Sequence, residues 1–217
     1  MKKIYLIFAA LLLTSILAAC NEEEENPVEF MYEHLEEAVQ IEKAVEDKQA
    51  PLTEAENNEL EKYESLQDID ELEELESIAQ GAIESAEERR AIMEEEKAII
   101  DEAFEEFQLA IPFLEEIEEE ELKAHGEKMI ETMEARFNTY QELYNQYVKT
   151  IDLDIELYEM YFQEDTTIED LQEQHDLVNE AYKEINELNE SFNQYTNDFN
   201  EDKRSFYEMA ELNVVFE

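Results

Sequence analysis

The chain has 217 residues, 62 of them acidic and 15 basic, for a formal net charge of −47. Nucleic-acid phosphate repels such a polyanion, so that class of partner is excluded. Two glycines, three prolines and no tryptophan leave no room for a P-loop, a dinucleotide fingerprint or a nucleophile elbow, and they favour long helices with few turns. The charge is not a mark of disorder, because apolar residues make up 43% of the chain and recur with helical spacing.

In chain order, Met1-Lys2-Lys3 precedes an apolar run from Ile4 to Ala19, the layout of an export signal. The run is shorter than the roughly 20 residues a spanning helix needs. Leu17-Ala18-Ala19-Cys20 matches the bacterial lipobox, L-[AS]-[GA]-C. The match implies cleavage of residues 1–19 and thioether attachment of a diacylglyceryl group to Cys20. The chain is then expected to be lipid-anchored on the extracytoplasmic face of the cell membrane. Its only cysteine is thereby used, so no disulfide forms and packing alone must hold the fold. Two acyl chains give stable anchoring. Residues 20–26 read as the lipidated cysteine and an acidic tether. An anionic leaflet repels Glu22 to Glu25, and the five residues Asn21 to Glu25 serve as a solvated spacer reaching at most about 18 Å.

Asn26-Pro27-Val28-Glu29 opens a helix, with Asn26 as N-cap, Pro27 in the first turn and Glu29 as the capping-box partner. It is expected to run to about Lys48, where Gln49-Ala50-Pro51-Leu52 breaks it. Thr53-Glu54-Ala55-Glu56 reads as a second capping box, opening a short helix to about Leu66, and Asp68 or Asp70 can cap the next. A long helix follows from Leu72. Its 3/4 seam is Leu75, Ala79, Ala82, Ala86, Met93, Ile100, Ala103, Phe107 and Leu114, and Pro112 is expected to kink it. Glu118 to Glu121 and Gly126 mark a turn or weak point before a further helix from about Leu122 to Gln163. Thr166-Thr167 caps the last helix. Its seam steps through Ile168, Leu171, His175, Val178, Tyr182, Ile185, Asn189, Phe192, Tyr195, Phe199, Asp202, Phe206 and Met209, at coiled-coil spacing. The predicted fold is therefore all-α. It is an elongated antiparallel bundle or coiled coil of three long helices, with a shorter N-terminal helical hairpin. The domain spans residues 27–211 and residues 212–217 form a tail.

Catalytic and metal signatures are absent. The residues three before His34, His125 and His175 are Met31, Leu122 and Gln172, so the Glu-x-x-His pairs of di-iron bundles do not occur. Asp68-Ile69-Asp70 and Asp152-Leu153-Asp154 lack the glycine of a calcium loop. No enzyme activity, cofactor or dedicated metal site is expected. Tyr140, Tyr144, Tyr147, Tyr158 and Tyr161 share one broad helical face. They either pack in the core with their hydroxyls at its edge, or form an exposed aromatic strip that binds a glycan or a protein. Arg89-Arg90 and Lys203-Arg204 either pair with surrounding glutamates or hold a ligand. His175, Asn189 and Asp202 either set the register of the last seam or mark a buried site.

The chain resembles the YkyA-like family of cell-wall binding lipoproteins of Gram-positive bacteria. The resemblance rests on the lipobox, on Gln49-Ala50-Pro51-Leu52-Thr53-Glu54, and on Glu87-Glu88-Arg89-Arg90 through Glu94-Glu95-Glu96-Lys97. Tyr144 to Tyr161 and Lys203-Arg204-Ser205-Phe206-Tyr207 complete it. It implies a noncatalytic envelope protein that binds peptidoglycan or scaffolds an envelope protein partner. The strong acidity departs from the more even Lys and Glu mixture of relatives and argues against charge attraction to anionic wall polymers. The alternative is an extracellular binder of cations or a small ligand, although no gap for a closed pocket is legible in the seams.

Overall fold

The computed structural model describes residues 26–66, 69, 71–212 and 214. Among these residues there is no strand. Helix α1 (Pro27–Glu42) passes through a 3-10 turn (Lys43–Val45) into α2 (Glu46–Leu66). Then follow α3 (Leu72–Gln108), the single turn α4 (Ile111–Leu114), α5 (Glu120–Met160) and α6 (Ile168–Met209). At 1.5 Å per residue, α3, α5 and α6 are about 55 to 63 Å long.

The N-terminal segment is not a hairpin. Pro51 lies inside α2, where its missing N–H removes one bond, to the Asp47 carbonyl. Thr53 does not cap a new helix: its hydroxyl donates back to the Gln49 carbonyl at 2.9 Å, as a mid-helix threonine does. The backbone remains right-handed at Lys43 and at Glu46. The break fails because both halves find partners on α3. Met31, Leu35 and Ala38 of α1 and Ala55 and Leu66 of α2 are buried. The pairs His34–Glu106, Lys48–Glu95, Glu59–Arg89 and Lys62–Ser85 track antiparallel along α3. The joined α1–α2 is thus a fourth rod.

The same pairing runs round the bundle. Phe104 stacks on Phe137 and Arg90 reaches Asp152 between α3 and α5. Lys128 meets Asp202, and Tyr182 meets Asp154, between α5 and α6. Tyr207 of α6 donates to Glu36 of α1, and Tyr63 of α2 stands against His175 of α6. All four rods are therefore antiparallel to their neighbours. Helix α6 lies close along α5, whereas α1–α2 stand further from it. The bundle is open along that side.

Pro112 does not kink a continuous helix. The long helix stops at Gln108, and Pro112 sits in the first turn of α4. The turn before α5 falls ahead of Glu120, and Gly126 lies within the helix. A Cβ on Gly126 would stand 2.4 Å from Leu114 Cδ1 and 3.3 Å from Phe206 Cε2. Glycine there admits α4 and α6 against α5. The N-cap expectations hold at two ends, although Glu29 accepts from the Asn26 side-chain amide at 3.3 Å and completes no capping box. Asn26 accepts from the Val28 N–H at 3.1 Å, and Thr167 and Asp170 form a reciprocal capping box. The lipobox with Cys20, the acidic spacer, Asp68 and Asp70 lie outside the described residues, as does most of the predicted tail. Among the described residues no helix is long and apolar enough to cross a membrane.

Two cores result. The end that carries α4 packs Met31, Leu35, Phe107, Leu114, Met129 and Phe206. The other end packs small alanines of α3 (Ala79, Ala82, Ala86) against Tyr147, Ile151 and Ile185.

Candidate functional site

The seam of α3 steps from Ala86 to Met93 to Ile100 in sevens. The residues that fill the intervening core positions are Arg89 and Glu96, 2% and 8% exposed. Helix α2 contributes Glu59 and α5 contributes Asp154 at matching core positions, 4% and 3% exposed. Three charged groups thus meet in a region with almost no water. Arg89 Nη2 donates to Asp154 Oδ2 at 2.8 Å and to Glu59 Oε1 at 2.9 Å. Arg89 Nε and Glu59 Oε2 stand 2.5 Å apart, so both carboxylate oxygens of Glu59 lie against the guanidinium.

Tyrosines close the cluster. Tyr158 donates to Glu59 Oε1 and Tyr182 to Asp154 Oδ2, both at 2.8 Å. Arg89 Nη1 donates to the Tyr182 hydroxyl at 3.1 Å. Its guanidinium lies 5.5 Å from the Tyr147 ring centre, and Tyr147 donates to Glu56 at 2.7 Å. Burial works against the charge on Arg89, but Tyr182, Glu59, Tyr147 and Asp154 outweigh it, so the guanidinium stays charged. Burial, reinforced by neighbouring carboxylates, raises the Tyr158 and Tyr182 hydroxyls and keeps them protonated donors. Burial also pushes the Glu59 carboxyl up to about 7, against the pull of Arg89 and the Tyr158 hydrogen bond. Asp154 rises for the same first reason.

This cluster is the floor of a cleft of about 310 Å³ on the open side between α2 and α6. Leu60 and Tyr63 form one wall, His175, Val178 and Asn179 the other. His175 is held by tyrosine on both nitrogens: Tyr63 OH is 3.4 Å from Nδ1 and Tyr161 OH is 3.5 Å from Nε2. Asp154 lies 34 residues beyond the start of α5, so the cleft sits about 50 Å from the end where α1 begins. A second, shallower hollow lies further along the same open side. There Arg136 of α5 pairs with Glu42 and donates to Thr196 at 2.9 Å.

The five tyrosines singled out from the sequence do not form one exposed strip. Tyr140, Tyr147 and Tyr158 are buried, and Tyr140 donates to Glu96 at 3.0 Å. Tyr144 packs against the second core with Lys97 over its ring, and Tyr161 backs His175. Only Tyr158 of the five lines the cleft. Arg90 pairs with Glu87 and Asp152, and Lys203 with Glu36. Asp202 is buried on Lys128 and Thr132, while Asn189 is exposed. The cleft also contradicts the expectation that the seams leave no gap. Sequence reasoning missed Glu59, Asp154 and Tyr63. Their signal was a charged or aromatic residue standing at a seam position. Among the described residues no cluster of His, Cys, Asp and Glu is arranged to hold a metal ion.

Residues 26–209 match the family described as "YkyA: Putative cell-wall binding lipoprotein". The chain belongs to this family. The uncharacterized lipoprotein YkyA of Bacillus subtilis (strain 168) is 28% identical over 170 residues, spanning 77% of this chain and 75% of the relative. A crystal structure of a conserved protein of unknown function from Staphylococcus aureus superposes with a TM-score of 0.73 at 12% identity. The superposition covers 82% of this chain and 91% of that one, a likeness of fold alone. The family's description names a lipoprotein and no reaction, in keeping with an envelope protein that carries a lipid anchor.

Proposed function

We propose that this chain is a noncatalytic rod, lipid-anchored through Cys20 on the outer face of the cell membrane, that binds peptidoglycan through the α2/α6 cleft. The position of the cleft carries the reading. It opens about 50 Å from the start of α1, and Cys20 precedes α1 by only a short tether, so the anchored rod holds the cleft out toward the wall. The chemistry supports binding over turnover. Arg89 ties down both Glu59 and Asp154, so neither carboxyl is presented as a free nucleophile, acid or base. The aromatic and polar walls are those of a recognition site.

The test is sedimentation of the full chain, in nonionic detergent, with purified cell wall. The wall is used with teichoic acid retained or stripped, with and without Mg²⁺. Saturable pelleting with stripped wall is expected, weakened at least tenfold by Tyr63→Ala with His175→Ala and unchanged by Tyr144→Ala. Absence of pelleting under every condition overturns the reading and leaves an envelope protein as the partner to seek.

A further inference from the structure

We propose that an acetylated amino-sugar chain, the glycan strand of peptidoglycan, lies along an uncharged asparagine track on α6 that joins the α2/α6 cleft to the second hollow. The inference rests on reading this cleft as the wall-binding site.

The track is set by register. Asn179, Asn186, Asn193 and Asn200 recur every seven residues on α6, and all four are exposed. The adjoining row on the side of the core reads His175, Tyr182, Asn189, Thr196 and Lys203, so neither row carries a carboxylate. One residue round the helix in the other direction the surface turns acidic. There stand Glu173, Glu180, Glu187, Gln194, Glu201 and Glu208, all exposed. Asparagine is a weaker helix former than glutamate, because its amide competes for the backbone. Its repeated use at exposed positions of so acidic a helix therefore does not serve folding. The five amides do not tie the bundle together either. Gln172 and Gln194 donate to Asp176 and Asp198, and Gln174 to the Leu153 carbonyl. Among the described residues no side-chain hydrogen bond involves any of the five asparagines, so their donors and acceptors all stand open to a ligand.

Both ends of the track lead into a hollow. Asn179 lines the cleft beside His175 and Tyr182, and Asn200 lines the second hollow beside Thr196 and Lys203. The two asparagines stand about 30 Å apart along the helix. Asn186, Asn189 and Asn193 fill the interval, and a row of this period drifts round a straight helix by only about 20° per heptad. The α1–α2 rod stands off from α6 on this side, which leaves room for an extended chain. Across the gap Glu42 and Glu56 are taken up by Arg136 and Tyr147. The occupant that suits this surface is neutral, linear and rich in amides. Each asparagine offers an NH₂ donor and a carbonyl acceptor, the complement of an acetamido group. Asparagines seven residues apart are about 10.5 Å apart, close to the advance of one disaccharide along an extended glycan. Tyr63 and Tyr182 line the cleft end and give a sugar apolar ring surface with a polar rim. The glutamate row beside the track repels an anionic polymer.

The experiment is calorimetric titration of the full chain, in nonionic detergent, with chitin oligomers of two and six sugars and with the stem peptides that an amidase releases from purified wall. The hexamer is expected to bind at one saturable site, at least tenfold tighter than the dimer, and the peptides not at all. Asn186→Ala with Asn193→Ala should weaken the hexamer at least tenfold while Tm stays level or rises, since alanine is the better helix former. A merely structural role would lower Tm instead. Asn186→Asp with Asn193→Asp should weaken the hexamer as far. The same change of charge at exposed positions of α2, Asn57→Asp with Asn58→Asp, should leave its affinity unchanged. Equal affinity for dimer and hexamer, no loss in the alanine pair, an equal loss in the α2 pair, or binding of the peptides in place of the glycan overturns the inference. Wall pelleting that depends on Tyr63 and His175 without hexamer binding sinks this inference alone. Hexamer binding along the track without wall pelleting sinks the wall reading alone.

Discussion

Arg89→Met is the sharpest perturbation of this bundle. Methionine fills a similar volume but removes the charge, leaving Glu59 and Asp154 buried with only the Tyr158 and Tyr182 hydroxyls as donors. Removing one member of a buried ionic group costs about 3–5 kcal/mol, because the partners keep their desolvation cost without the attraction that offset it. For a helical domain of this size the unfolding entropy is about 0.4 kcal/mol/K, so the expected fall in Tm is about 8–12 °C. Circular dichroism melts at pH 7.5 measure it. The loss should shrink at pH 5, because Glu59, raised to about 7 by burial, takes up a proton there and no longer needs the guanidinium. Adding Glu59→Leu and Asp154→Leu should recover most of the loss, since a well-packed apolar substitute for a buried ionic group is neutral or better. A loss below about 1 kcal/mol for Arg89→Met, or a loss equal at pH 5 and pH 7.5, would refute the claim that these charges are out of water.

Stability should fall as pH rises from 5 to 8. Glu59 binds its proton more tightly folded, at about 7, than at the ordinary 4.5, so the folded state loses an advantage on the order of 3 kcal/mol across that window. In Glu59→Gln the slope of Tm against pH should flatten, and an unchanged slope assigns it to other groups. Gly126→Ala should destabilise by about 1–3 kcal/mol in urea melts, since the new methyl collides with the buried Leu114. Gly81→Ala should instead gain up to about 1 kcal/mol from helix propensity, because its Cβ meets only the movable end of Lys62. Raising NaCl from 0.05 to 1 M should raise Tm by several degrees, as screening relieves repulsion among the 62 acids. A flat or falling Tm removes self-repulsion as a limit on stability.

The rods were legible where apolar spacing was unbroken. The seam of α3 from Ala79 to Phe107 is buried as the 3/4 pattern implies, that of α6 is buried at Val178, Ile185, Phe199, Asp202 and Phe206 but exposed at Asn189 and Tyr195, and Thr167 caps where expected. The N-terminal segment was misread because Pro51 was given its usual force as a helix breaker. One lost hydrogen bond is small beside the burial that both halves gain against α3. The cleft was illegible for a different reason. A heptad pattern records which residues of one helix face inward, and says nothing about how far apart two rods stand. The gap between α2 and α6 arises from packing on α5 and α3, which no single helix encodes. Arg89, Glu59 and Asp154 were visible only as interruptions, and an interruption in so acidic a chain reads first as surface.

The two cores divide the work of the molecule. Beside α4, at the end where α1 begins, Met31, Phe107, Met129 and Phe206 form an apolar core whose burial stabilises each side chain by about 1.5–3 kcal/mol. At the far end the same rods carry small alanines and a charged triad, which contributes little net stability over an apolar substitute. A protein without disulfides gains nothing structural from placing its least economical core where the rods also part. Departures from apolar packing concentrate at sites that must recognise something. The apolar core holds the four rods in register, and the ionic floor then lies in the cleft about 50 Å away. A ligand seated in this cleft would stabilise the weaker end of the rod. Binding should therefore protect amides near Glu59 and Asp154 from hydrogen exchange and leave those near Phe206 unchanged; uniform protection along the rod would instead mean that the two ends unfold as one unit.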